Sequence, residues 1–189
     1  GRDGDVSTVA EMAAAIRRHS DAIGYDAFRV PGLLLEAWVA ERRQDGAAAI
    51  EDYRRALELA GRVGLGEHAA FALAGLGLTA LASGDVREAE DLQRQALATA
   101  EAAQAPLAAA HAGIPLARIA AGRGDAPTAE RQYRQALDTA QLWAAAAPTD
   151  LQAHLSHYRA RKELADQVRG SKDDLIDDAQ ALLKSHPDD

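Results

Sequence analysis

The sequence predicts an all-α fold: a right-handed α-solenoid of antiparallel helix pairs, ending in a C-terminal capping helix pair. Three observations carry this expectation. The 189 residues are 48% hydrophobic but only 4% aromatic and are rich in alanine, a composition that suits close-packed helices rather than strands. The chain also repeats itself every 40 positions, with Asp45, Asp85 and Asp125 in register and Ala49, Ala89 and Ala129 four residues after them. Within each copy, small and apolar residues recur at i, i+4, i+7, i+8 and i+11, which is one stripe of an α-helix.

One period before Asp45 stands Asp5, and Gly4-Asp5-Val6 repeats Gly84-Asp85-Val86. Residues 6–24 are therefore expected to be an orphan second helix (helix B) of a truncated repeat, with Val9, Met12, Ala13 and Ile16 facing inward. The 1–189 stretch, read as one repeat domain, is expected to be a fragment of a larger protein. Three repeats follow, at 31–60, 67–103 and 106–147. Helix A of each is expected at Pro31 to Arg43, Glu67 to Ser83 and Pro106 to Ala121. Each helix B opens on its aspartate, whose carboxylate can accept the free N–H groups of a first turn; Glu88, three residues after Asp85, suggests a capping box. Gly84 and Gly124 suit the left-handed residue that ends a helix, and copy one offers Gln44 there.

The register continues through Tyr53, Gln93 and Tyr133, then Ala56-Leu57, Ala96-Leu97 and Ala136-Leu137, then Ala60, Ala100 and Ala140. On helix A, Ala37, Gly77 and Ala117, followed by Ala40, Ala80 and Ala120, are small enough for close helix approach. Glu51 with Arg55, Glu90 with Arg94, and Glu130 with Arg134 place opposite charges one turn apart on the solvated face of helix B. After Ala147 the register is lost. Pro148-Thr149-Asp150 opens the capping helices, 149–185, whose last member buries Leu175, Ile176, Ala179 and Leu182 under an acidic outer face. That is the polar end a solenoid needs. Nine helices and no strand are expected in all.

Leu76-Gly77 and Ala80 on helix A, with Ala89 and Ala96 on helix B, resemble the tetratricopeptide repeat (TPR) family. Copies one and three keep the small positions but carry Glu36-Ala37 and Leu116-Ala117 in place of Leu-Gly. The period of 40 is longer than the family's roughly 34, its Trp and Pro positions are unmatched, and a HEAT-type repeat also has this length. The long variant resembles the helical sensor arrays of large bacterial transcriptional regulators, in the texture of residues 72–78 and 110–114. The resemblance implies a non-enzymatic module, with helix A lining a concave groove.

Three columns of helix A are expected on that groove: Pro31, Phe71 and His111; Leu34, Ala74 and Ile114; Trp38, Leu78 and Arg118. Six of these are the candidate ligand-binding residues: Trp38, Phe71, Leu78, His111, Ile114 and Arg118. Trp38 and Phe71 are expected to act as apolar anchors and Arg118 as a carboxylate clamp, because an apolar concavity with one basic group suits a protein or peptide segment. The same strip could be covered by the C-terminal helices. Pro115 is expected to kink its helix at the groove.

The alternative function is a small-molecule or peptide sensor domain of a transcriptional regulator. A third is a helical metal-dependent enzyme, whose ligands could be Asp150, His154 and His157, spaced along one helical face. No cofactor is expected. With no cysteine, a thiol nucleophile or Cys-ligated metal is excluded. A net charge of −8 argues against a nucleic-acid surface. No apolar run approaches the roughly 18 residues of a membrane span, and a cytoplasmic location is expected. Gly61, Gly64 and Gly66 lack the strand that a phosphate-binding loop follows, and read as a flexible loop between repeats.

Overall fold

The computed structural model describes residues 2–146, and the structural statements here concern those residues. Seven helices account for nearly all of them: α1 (Arg2–Ile23), α2 (Asp26–Arg42), α3 (Gly46–Val63), α4 (Gly66–Ala82), α5 (Val86–Ala102), α6 (Pro106–Gly122) and α7 (Ala126–Ala146). No strand occurs among the described residues. Helices A of the three repeats are α2, α4 and α6, and helices B are α3, α5 and α7. The capping helices expected at 149–185, and the Asp150, His154 and His157 set, lie outside the described residues.

Every turn between consecutive helices contains one left-handed residue: Gly24, Gln44, Gly64, Gly84, Gln104 and Gly124, all with φ between 53° and 88°. Glycine takes this conformation without a Cβ clash, and at Gln44 and Gln104 the same geometry is imposed on a side-chain-bearing residue. One hydrogen bond seals five of the turns. The N–H groups of Asp45, Leu65, Asp85, Ala105 and Asp125 donate to the carbonyls of Ala40, Ala60, Ala80, Ala100 and Ala120 at 2.9–3.0 Å, the long bond of a Schellman motif.

The aspartates then cap the next helix. Asp45, Asp85 and Asp125 accept from the N–H groups of Ala48, Glu88 and Thr128 at 3.1, 2.9 and 3.1 Å. The hydrogen bonds from Thr128 hold the Asp125 carboxyl below its ordinary pKa. The capping box expected at Glu88 is only half formed. The N–H of Asp85, which the Glu88 side chain would need, is already given to Ala80.

By its internal contacts the chain divides into two compact units, Gly1–Ala108 and Ala109–Asp189. In the first unit each helix packs on the next from α1 to α5, and the two helices A, α2 and α4, also touch. The core is built from the repeating positions. Ala37, Ala40, Ala49, Tyr53 and Leu76 form one buried cluster, and Val30, Leu59, Ala60 and Ala69 another. Ala56 and Ala96 are completely buried.

Close approach is most evident at two glycines of α4. A Cβ at Gly75 would lie 2.3 Å from Cζ of Tyr53, and one at Gly77 would lie 2.7 Å from Nε2 of Gln93. In the second unit α6 runs unbroken through Pro115. It packs on α7 through Ala117, Ala129 and Tyr133, with Ile114, Ala120 and Ala121 around them.

Several local expectations are corrected. α1 is helical through Gly4 and Asp5, so no turn stands there. On α1, Ala13 is buried but Met12 is half exposed, so the inner stripe is narrower than expected. Helix α2 begins at Asp26, which leaves Pro31 inside the helix rather than at its start. Arg55 pairs with Asp52 rather than Glu51, while the Arg94–Glu90 and Arg134–Glu130 pairs form. Gly61, Gly64 and Gly66 do not make a flexible loop. Gly61 is within α3, Gly64 is the left-handed cap, and Gly66 starts α4, packed so tightly that its added Cβ would be 2.9 Å from that of Ala103.

Candidate functional site

Helix A of a repeat with so many small residues is buried on most of its circumference. In α4 the residues Ala69, Ala70, Ala72 to Gly77 and Ala80 are all buried, and the large side chains Phe71 and Leu78 are left half-buried. They stand seven residues apart, on one side of the helix. Trp38 on α2 is the register partner of Leu78 and is likewise half-buried. Since α2 and α4 pack together, Trp38, Phe71 and Leu78 belong to adjoining helices of one compact unit.

The other three candidates, His111, Ile114 and Arg118, belong to α6 in the second unit. His111 and Arg118 are exposed, and Ile114 packs on the Ala117, Ala129 and Tyr133 cluster. Spacings of three and seven residues put all three on one side of α6. Two further members of the expected columns are core in the first unit. Ala74 is fully buried, and Leu34 packs against both of that unit's clusters named above.

Sequence reasoning missed a cation. The Arg42 guanidinium carbon sits 5.7 Å from the centroid of the Trp38 ring, within reach of a cation–π attraction. Its signal was available as the i, i+4 spacing of Trp38 and Arg42 on one helix. The pair joins an apolar plate to a positive charge. Arg118 was expected to do this from a different repeat.

Next to Arg42, Glu41 ties three helices together. Its Oε2 accepts from the Tyr53 hydroxyl of α3 at 3.1 Å, and its Oε1 lies 3.3 Å from Thr79 Oγ1 of α4. Thr79 has a single proton, and the Gly75 carbonyl at 2.9 Å competes for it. Burial pushes the Glu41 carboxyl above its ordinary range, and burial with the Glu41 charge pushes the Tyr53 hydroxyl well up. The C-terminal turn of α2, which carries Trp38 and Arg42, is thereby fixed to its neighbours. A polar network of this kind was not legible from the repeat, because Glu41 becomes Leu81 and Ala121 one and two periods on.

No group of three or more metal-ligating side chains comes together among the described residues, and no described helix is long and apolar enough to cross a membrane.

Residues 36–102, from the last turns of α2 to the end of α5, match the tetratricopeptide repeat family. No curated protein sequence matches the chain. Among solved structures, BtubC (BKLC) from P. vanneervenii is similar with a TM-score of 0.58 at 19% identity, over 87% of this chain and 67% of that one. One crystal structure of a putative kinesin light chain of Podosopora anserina, with nearly identical TPR-like repeats, gives 0.57 at 16% identity over 97% and 88%. A second structure of that protein gives 0.54 at 16% identity over 98% and 90%. At these identities the likeness shows the fold, an all-α TPR-like helical repeat.

Proposed function

We propose that this chain is a non-enzymatic module that binds a protein or peptide segment on the exposed side of its helices A. Tetratricopeptide repeats are typically protein–protein interaction modules, and the matched segment, residues 36–102, holds Trp38, Phe71 and Leu78. The observation that carries the proposal is the placement of Trp38. A large aromatic ring is left half-buried beside a guanidinium, on a helix that buries Val30, Gly32, Ala37, Val39 and Ala40. Aromatic rings next to arginine are the groups that most often anchor an interface. Phe71 and Leu78 extend the apolar area on α4; in the second unit, His111, Ile114 and Arg118 of α6 are the candidate contacts. The partner segment that fits combines apolar side chains with a carboxylate, the latter held by Arg42 or Arg118 through charge-assisted hydrogen bonds. A bacterial regulatory protein, suggested by the texture of residues 72–78 and 110–114, is the setting we propose for the module.

The test is selection of random peptides on the full chain, followed by titration of the selected peptides against variants. Trp38→Ala should weaken binding by about 2 kcal/mol or more while leaving the melting curve nearly unchanged. Selected peptides that bind Trp38→Ala as well as the parent would refute the assignment. A variant that binds normally but melts much earlier would return Trp38 to the core.

A further inference from the structure

The first unit contains a cavity of about 310 Å³ where α1, α2 and α3 meet, away from Trp38, Phe71 and Leu78. Four arginines and four carboxylates line it, over a floor of Leu33 and Leu59. The repeat provides an internal comparison. Where copy one has Arg17, Asp26, Arg29, Glu36 and Arg62, the next period has Leu57, Gly66, Ala69, Leu76 and Ala102, and the one after has Leu97, Pro106, Ala109, Leu116 and Leu142. Ten uncharged residues satisfy the fold at five places where copy one uses only charged ones. At Gly66 the helices close so tightly that a Cβ would meet Ala103 at 2.9 Å, whereas in copy one the same place holds the Asp26 side chain.

These charges are organised across the helices. Arg17 of α1 pairs with Glu36 of α2 at 2.9 Å, and Arg29 of α2 reaches Asp21 of α1 at 2.9 Å and Asp26 at 3.2 Å. Arg62 of α3 stands 3.9 Å from the other oxygen of Asp26. All these arginines are partly exposed, and such pairs add little to stability, so holding the helices together does not account for the change from small apolar residues. Two groups retain unused capacity among the described residues. Nε of Arg29 is buried with no acceptor, and Glu58 on the rim forms no ion pair. An unpaired buried donor is costly and favours an acceptor that arrives from outside.

We propose that this cavity is a binding site for a small zwitterionic ligand of the amino-acid or dipeptide class. The ligand's carboxylate would lie among Arg29 and Arg62, its ammonium at Glu58, and its side chain on Leu33 and Leu59. The lining chooses this class. A wall with equal numbers of the two charges repels a purely anionic or purely cationic molecule as much as it attracts it, and complements one that carries both charges a few ångströms apart. The volume is at the lower end for small-molecule pockets. The site is independent of the helix-A surface proposed above.

The experiment is isothermal titration of the full chain with the standard L-amino acids and with L-leucyl-L-leucine. At least one should bind with a Kd of about 1 mM or tighter, and its N-acetylated and amidated forms should each bind about tenfold more weakly or worse. Arg29→Gln and Glu58→Gln should each lower affinity by about tenfold. Glu58→Gln removes no ion pair, so its melting curve should match the parent's even if Arg29→Gln unfolds. Trp38→Ala should leave this binding intact. The proposal is overturned if none of the probes binds at about 10 mM, if the blocked forms bind as well as the free ones, or if Glu58→Gln has no effect. It is also overturned if Trp38→Ala abolishes binding, which would move the ligand to the helix-A surface.

Discussion

Gly75→Ala tests the closest helix approach in the first unit. In an ordinary exposed helix this change is stabilising by about 1 kcal/mol, because alanine is the better helix former. Here the new Cβ would lie 2.3, 2.4 and 2.6 Å from Cζ, Cε1 and Cε2 of Tyr53, against a comfortable carbon–carbon distance of about 3.5 to 4 Å. The ring would have to retreat by more than about 1 Å. It is 6% exposed, and its hydroxyl is held by Glu41 at 3.1 Å. Retreat therefore breaks that hydrogen bond, worth about 1 kcal/mol, on top of an overpacking cost of about 1 to 3 kcal/mol. Subtracting the helix-propensity gain leaves a net loss of about 2 kcal/mol. Urea unfolding followed by circular dichroism measures it. Gly61→Ala is the control, since nothing lies within 4 Å of a Cβ there, and it should be stabilising by about 0.5 to 1 kcal/mol. If Gly75→Ala is as stable as Gly61→Ala, the packing of Tyr53 on α4 is wrong. A double-mutant cycle with Tyr53→Leu should show that most of the loss is coupling between the two sites.

Two further outcomes are expected. The Glu41 carboxyl is raised above 4.5 by burial, so the folded protein binds its proton more readily than the unfolded chain, and this contribution to stability is present at acid pH and lost as pH rises through the raised pKa. Denaturant unfolding of the parent and Glu41→Gln over a pH series should show the parent losing stability relative to the variant as pH climbs from 4.5; a constant difference would refute the shift. Ala96→Leu puts three extra carbons where exposure is zero and should be destabilising by about 1 to 3 kcal/mol; an unchanged urea midpoint would place Ala96 outside the core.

The helices were legible because their signals are local and repeated. Asp45, Asp85 and Asp125 gave the starts, the alanine columns gave the buried stripe, and TPR-type packing followed from small residues meeting on both helices. Boundaries failed where a signal had another valid use. Pro31 is a favourable first residue of a helix, but it also fits inside one, and Asp26 five residues earlier is where α2 begins. The candidate surface was partly legible, since half-buried Trp38, Phe71 and Leu78 are the large residues left over once the small stripe is assigned. Leu34 and Ala74 were misplaced because neighbouring columns, three or four residues apart on one helix, differ in direction by only about a ninth to a sixth of a turn. The charged cavity of copy one was visible as a departure from the repeat, but a departure becomes a cavity only when three helices are seen to converge on it.

The left-handed residues at 24, 44, 64, 84, 104 and 124 stand at intervals of 20, half the period of the side-chain pattern. This constrains how the chain can change in length. Loss or duplication of 20 residues would leave every turn in step, because each helix plus its turn has the same length. It would still exchange the two kinds of helix, setting α5-like helices, with four buried residues, where α4-like helices, with nine, belong. Only a change of 40 restores both the turns and the burial, so shortened or lengthened forms of this protein should remain folded in whole pairs of helices and fail in single ones.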